Sequence, residues 1–193
     1  GIDCGTGIGP MMEAARMIAK SGAKPKRTIV FIGFAGEEFG LLGAQAWVKA
    51  HKDKLPKIAN LFNRDGGPEP PVGISVPQAM YDDFVKISEP IQKIRPDYPF
   101  EVKVREPRKR PTRMGGTDAS VFAIEGVPTL GFTTEDFKGY DFDYGEIWHT
   151  ERDLYTKNIP EYQEHTATVT AIIALGVANL DKQLSREGLY TEE

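Results

Sequence analysis

"TIVFIGFAGEEFGLLGAQAWVKAHKDK", residues 28–54, decides the fold. Its first part, "TIVFIGFA" (28–35), is an unbroken apolar run with β-branched residues, the pattern of a strand buried on both faces. Its last part, "FGLLGAQAWVKAHKDK" (39–54), predicts a helix that packs Leu42, Ala46 and Val48 against a sheet, with Gly43 weakening its early turns. Between the two stand adjacent carboxylates, Glu37 and Glu38. One reading makes one of them a helix cap and the other a solvated charge, since acidic residues favour a first turn. The other gives them separate chemistry. Side chains alternate along an extended chain, so Glu38 can face a metal while Glu37 faces the open side and takes a proton from water.

The flanking sequence repeats the alternation. A glycine-rich turn, "GIDCGTGIGP" (1–10), precedes the helical "MMEAARMIAK" (11–20), which Gly22 and Pro25 close. "KIANLFNRDGG" (57–67) reads as a second buried strand ending in Asp65, and "GISVP" (73–77) as a short one. A helix disturbed by Pro90 is expected over 79–94, and an alternating strand at "FEVKV" (100–104). A basic loop follows, then a short helix over 118–126, the strand "VPTLGF" (127–132), an aromatic and Asp-rich loop (134–148), and a long closing helix from Ile159. Strands and helices in alternation, with unbroken apolar strands, predict a layered α/β fold and a mainly parallel sheet. In such sheets chemistry gathers beyond the carboxyl ends of strands, and Glu37, Glu38 and Asp65 all fall there.

The bulk composition narrows the function classes. The 193 residues fit one ordinary domain, and 40% hydrophobic with 27% charged residues is a globular composition. A formal charge of -4 gives no global electrostatic reason to expect nucleic acid or an anionic membrane as partner. Cys4 is the single cysteine, which rules out an internal disulfide and a Cys-rich metal motif. The apolar stretches fall short of a membrane span.

Asp3, Glu38, Asp65 and His149 are the groups best suited to hold a metal, since carboxylate oxygens with one imidazole fit Zn²⁺ with an open water position. Their spacing forms no local motif, and structural readings stand beside the chemical ones: a turn or cap for Asp3, an Asx turn before Gly66 for Asp65. His149 lies in a loop with Trp148, Thr150 and Asp153 rather than on a helix face. His51 and His165 read as exposed or structural.

Taken together, "DCGTGIGPMMEAARMIAKSG" (3–22), "KPKRTIVFIGFAGEEFGLLGAQAWVKAH" (24–51), "NRDGG" (63–67), "GGTDASVFAIEGVPTLGF" (115–132) and "WHTERD" (148–153) resemble the M28 family of zinc peptidases, with the flavour of its glutamate-carboxypeptidase and plasma-carboxypeptidase-like group. The resemblance implies a three-layer α-β-α sandwich around a mixed, mainly parallel sheet, spanning 1–193 as a single peptidase domain. It implies a zinc-dependent exopeptidase, either aminopeptidase or carboxypeptidase, acting on peptide or dipeptide substrates, and an extracytoplasmic location. By the same resemblance Asp3 bridges two zinc ions, Glu37 is the general base, Glu38 and His149 complete one zinc, and Asp65 belongs to the second.

Three departures accompany it. The family's first histidine ligand lies upstream of the glycine-rich turn, so the domain is expected to be incomplete at its N-terminus and to retain two zinc ions, one or none. Cys4 stands where the family often has Asn, its sulfur either a soft metal donor or a small packed side chain. Thr117-Asp118-Ala119 replaces the family's "S/T-D-H", leaving Asp118 to orient neighbouring groups or to cap a helix. Around the pocket, Tyr144 and Trp148 can form an aromatic wall or a loop's own core. In "KVREPRKRPTR" (103–113), Arg108, Arg110 or Arg113 can attract a substrate carboxylate, or remain solvated. The alternative to a peptidase is a non-catalytic peptide-binding or interaction domain of the same fold with an incomplete metal site. A hydrolase of another amide would keep the site and change the pocket.

Overall fold

The computed structural model describes residues 1–191. Helix α1 (Gly5–Lys20) and helix α2 (Leu42–Ala50) come first, followed by strand β1 (Pro71–Val76), helix α3 (Tyr81–Ile94) and strand β2 (Glu101–Val104). Then come helix α4 (Ala119–Ile124), strand β3 (Phe132–Thr134), the one-turn helix α5 (Tyr144–Ile147) and helix α6 (Pro160–Asn179). The sheet has the order β2-β1-β3. β1 runs parallel to β2, with Gly73 opposite Glu101 and Val76 opposite Val104, and antiparallel to β3. The fold is therefore α/β, a central mixed sheet flanked by helices.

Of three apolar clusters among the described residues, the two larger ones hold most of the helices in place. On one side Ile74 and Val76 of β1 pack with Phe84, Ile87 and Ile91 of α3 and Val169, Ile173 and Val177 of α6. On the other, Ala44 and Val48 of α2 meet Val121 and Phe122 of α4. The run at 58–62 separates them, sending Ala59 and Phe62 to the first core and Ile58 and Leu61 to the second.

Five expectations from sequence differ from the structure, the first being the glycine-rich turn expected over 1–10, whose residues 5–10 are already helical in α1. Residues 28–35 form no strand, and Val30 is 63% exposed. The run 58–64 is likewise without a ladder, although Leu61 N–H donates to the Pro128 carbonyl and Asn60 exchanges two side-chain bonds with Leu130. β-propensity is realised only against a partner strand, and none of the described residues pairs along these runs. The third strand forms five residues later than its apolar run, at Phe132–Thr134. On α2 the buried residues are Ala44 and Val48, while Leu42 is 55% exposed. The helix begins only after Leu41 turns the chain at φ 59°, which rotates the apolar stripe away from Leu42 and Ala46. Pro90, by contrast, does not break α3. It lies on the exposed face, where the Lys86 carbonyl that loses its amide partner can reach water.

His165 is structural. It is fully buried on α6, stacks on Tyr98 with ring centroids 3.9 Å apart, and Nε2–H donates to the Pro71 carbonyl at 3.0 Å. Nδ1 is buried with no partner among the described residues, so a second proton would bring an unpaired charge inside. Burial, opposed by the Pro71 bond and reinforced by Arg95, lowers its pKa to about 4. The unfolded chain thus binds this proton first, and stability falls as pH drops from the ordinary histidine value toward 4, by about 3 kcal/mol in full. His165→Gln, whose amide can still donate to Pro71, is expected to remove that part of the acid sensitivity. Urea unfolding at pH 7 and pH 4 checks it, and equal losses in both proteins would overturn the assignment.

Candidate metal centre

An open cleft of about 470 Å³ collects side chains that are far apart in sequence: Asp3, Glu37, Glu38, Asp65, Tyr144 and His149. Asp3 and Cys4 arrive on the entry to α1, whose first turn lies against the backbone of residue 64. A Cβ on Gly7 would stand 2.3 Å from the Arg64 carbonyl oxygen, so glycine is what permits the approach. Thr6 Oγ1 spans the same gap, donating to the Gly66 carbonyl at 2.9 Å. Asp65 is thereby brought beside Asp3. Gly7→Ala is expected to cost about 1–3 kcal/mol, as overpacking against backbone does, and to weaken metal binding. Chemical denaturation with zinc titration reads both; unchanged values would show that the two segments are not held this way.

Glu37 and Glu38 occupy a tight turn rather than a strand end or a helix start. The Glu37 carbonyl accepts from the amides of Gly40 and Leu41, and Leu42 N–H donates to the Gly36 carbonyl. No acidic residue lies in the first turn of α2, and its N-cap is Leu41, so neither glutamate caps the helix. Both line the cleft.

His149 follows α5 and its C-cap Trp148 with φ at 55°. Glycine or asparagine is the usual residue in this left-handed position after a helix, and a bulky side chain there carries a backbone cost of order 1–3 kcal/mol. The imidazole kept at that cost places Nε2 3.0 Å from Glu38 Oε2. Its loop is fastened to α1 by Asp153, whose carboxylate accepts from the amides of Ile2 and Asp3. Sequence reading assigned no role to Asp153 or Thr6, because each acts across a separation that no local pattern records.

Two donor sets result. Asp3, Glu38 and His149 form one, and Asp3, Cys4 and Asp65 the other, the ligating atoms of each lying within 4.8 Å of one another. Ligands on a tetrahedral zinc stand roughly 3.3–3.8 Å apart, given bonds of about 2.0–2.3 Å, so both sets are on the right scale and share Asp3. The electrostatics also fit a cation. Burial, then Asp65, Glu38, Asp118 and Asp3, raise the pKa of Glu37. Burial, then Asp3, Asp118 and Glu38, raise that of Asp65. Burial and then the Asp3 carboxylate raise that of the Tyr144 phenol. A divalent ion would reverse this crowding of negative charge.

The remaining residues fall outside the donor sets. Tyr144 and Trp148 line the cleft with Gly115, Gly116 and Thr117. Asp118 is buried, and its Oδ1 has no hydrogen-bond partner among the described residues. It stands at the N-cap position of α4 but makes no side-chain capping bond, so the capping role does not hold. Arg108 donates to Thr129 Oγ1 and Arg110 to the Ile124 carbonyl, whereas Arg113 is exposed on the loop leading to Gly115. Among the described residues no helix is long and apolar enough to cross a membrane.

Comparison with known proteins bears on this arrangement. The sequence profile of Peptidase family M28 matches residues 2–173. Carboxypeptidase Q of Mus musculus is 24% identical over 190 residues, covering 96% of this chain and 36% of that protein. A probable zinc metalloprotease of Pyrenophora tritici-repentis is 44% identical over 64 residues, 33% of this chain and 14% of that protein. Among solved structures, a peptidase M28 precursor from Shewanella amazonensis SB2B superimposes with a TM-score of 0.73 at 26% identity, covering 95% of this chain and 38% of that one. BSAP, a zinc aminopeptidase from Bacillus subtilis, shares the fold with a TM-score of 0.65 at 18% identity, covering 98% and 45%. The chain thus spans little more than a third of the length of its full-coverage curated relatives.

Proposed function

The chain belongs to peptidase family M28, and from that premise we propose that its cleft is the catalytic centre of a zinc-dependent exopeptidase. The observation that carries the reading is convergence. Donors from residues 3, 38, 65 and 149 meet in one cleft beside a further carboxylate, Glu37. Asp3, Glu38 and His149 would hold one zinc, with Asp3 and Asp65 available to a second. Bound zinc supplies Lewis acidity toward a scissile carbonyl and lowers the pKa of water.

The chain's own residues do the rest. Glu37, on the cleft wall but in neither donor set, takes a proton from the attacking water and returns it to the leaving amine. Tyr144 and Trp148 flank the substrate, and the exposed Trp148 gives an apolar face against which a terminal side chain can rest. Asp118 adds negative charge near Glu37 and Asp65. With Arg108 and Arg110 bonded elsewhere, Arg113 is the arginine of the three assigned to a substrate carboxylate.

The test is zinc stoichiometry measured alongside turnover of a panel of dipeptides, with free and blocked termini. At least one tightly bound zinc and hydrolysis that depends on it are expected. Binding of peptide without zinc and without hydrolysis would overturn the peptidase reading in favour of a non-catalytic domain of the same fold. Equal cleavage of carboxyl-blocked and free peptides would remove Arg113 from the site.

A further inference from the structure

Asp65 opens the segment "DGGPEPP" (65–71), which leads into β1 and carries Pro68, Pro70 and Pro71. Proline has no backbone N–H, so amides of its own can do little to fix this segment. Its carbonyls fix it instead. That of Gly66 accepts from Thr6 Oγ1, Pro68 from Gln163 Nε2, Pro70 from the Glu135 amide and Pro71 from His165 Nε2. The two carbonyls between them, of Gly67 and Glu69, accept from a single nitrogen, Arg64 Nη2, at 2.7 and 2.5 Å. Arg64 directly precedes Asp65, so these two bonds close the loop on itself. Its Nε is buried with no partner among the described residues. A charge enclosed with an unsatisfied donor is a costly way to close a loop, and a mere surface turn would not need it.

We propose that Arg64 is a positioning residue for the cleft, setting the direction of Asp65 and backing the ring of Tyr144 through the loop it closes. This rests on reading the cleft as a metal centre. Arg64 neither lines the cleft nor belongs to a donor set, so it acts only through its neighbours. Asp65 is followed by Gly66, at φ 113°, and Gly67, a pair with more conformational freedom than any other residues would have. Left alone, that freedom would let the carboxylate swing; the bond to the Gly67 carbonyl removes it. Gly67 also abuts the aromatic wall, since a Cβ there would stand 2.8 Å from the Phe142 ring and 3.4 Å from that of Tyr144. On the other side the Arg64 stem lies under α1, with Cγ 3.4 Å from where a Gly7 Cβ would be. One side chain thus ties the Asp65 loop, the start of α1 and the cleft wall together.

Zinc titration calorimetry on the metal-stripped protein tests it. Asp65→Ala identifies the position that Asp65 serves, and urea unfolding records the stability of each metal-free protein. Arg64→Met keeps the stem and removes the donor. Affinity at the Asp65 position is then expected to fall about 10–100-fold, the usual loss when a group supporting a ligand is removed. Affinity at the Asp3–Glu38–His149 position should stay as it was. Arg64→Lys should recover most of the loss, because one nitrogen serves both carbonyls and an ammonium carries three donors. Unchanged zinc binding in Arg64→Met would overturn the proposal. So would an equal fall at both positions, which would make Arg64 a tie of the fold alone, or an Arg64→Lys protein no better than Arg64→Met. Should Arg64→Met fail to fold, Arg64→Gln, two bonds shorter than arginine, takes its place with the same outcomes. A single zinc indifferent to Asp65→Ala would overturn the proposal and leave the Asp3–Glu38–His149 position standing. No zinc at all would overturn the metal-centre reading itself, and this proposal with it.

Discussion

Glu37→Gln is expected to lower kcat for peptide hydrolysis by about 10²–10⁴-fold, the usual contribution of a positioned general base, while bound zinc stays unchanged. The two effects separate because Glu37 lines the cleft yet belongs to neither donor set. Glutamine keeps the length and polarity of the side chain but cannot take a proton from water. The backbone of the turn should survive, since it is held by the Glu37 carbonyl rather than by the carboxylate. Turnover equal to that of the unaltered enzyme would remove Glu37 from the mechanism. Loss of zinc along with activity would instead make Glu37 a ligand.

Asp3→Ala should have the largest effect on metal, because Asp3 is the donor common to both sets. Zinc affinity is expected to fall by more than about 100-fold, beyond the loss from removing a group that only supports a ligand, and hydrolysis should go with it. His149→Ala, which touches one set only, should leave Asp3, Cys4 and Asp65 able to retain a cation. The metal-free protein should respond in the opposite sense. Glu37 and Asp65 have pKa values raised by burial and by neighbouring carboxylates that include Asp3. A carboxyl whose folded pKa is raised keeps its proton longer in the native state, so stability falls as pH rises from the unfolded value through the folded one. Asp3→Ala relieves part of that repulsion and should flatten the fall, while abolishing the rise in Tm that zinc gives to the unaltered protein. Thermal unfolding across pH, with and without zinc, reads both. A variant still stabilised by zinc to the original extent would show that the metal does not depend on Asp3.

Much of the site could be read before the structure. Glu37 and Glu38 are adjacent in an apolar context, and the sequence left two readings of the pair open, a chemical one and one of a helix cap with a solvated charge. The structure removes the capping part of the structural alternative, because α2 starts at Leu42 and neither glutamate caps it. What sequence could not supply was the setting. The pair lies in a tight turn, and the run before it has no strand partner among the described residues. Periodicity reports which face of an element is apolar, not whether a neighbour is present to complete its ladder. The same limit explains β3, whose position depends on its antiparallel register with β1. It also explains α2, where one left-handed residue, Leu41, resets the buried stripe.

The amino-acid sequence by itself determined the layered α/β class, the helices α1, α3 and α6, and the identity of the acidic and imidazole donors. These follow from local spacing and side-chain chemistry, which are written residue by residue. Only the tertiary structure decided that Cys4 stands with Asp3 and Asp65, that Asp153 fastens the His149 loop to the start of α1, and that Arg108 and Arg110 are bonded elsewhere. Those facts depend on the close approach that Gly7 permits and on contacts across some 60 to 150 positions of chain. Such contacts are set by packing of whole elements, and no local pattern encodes them.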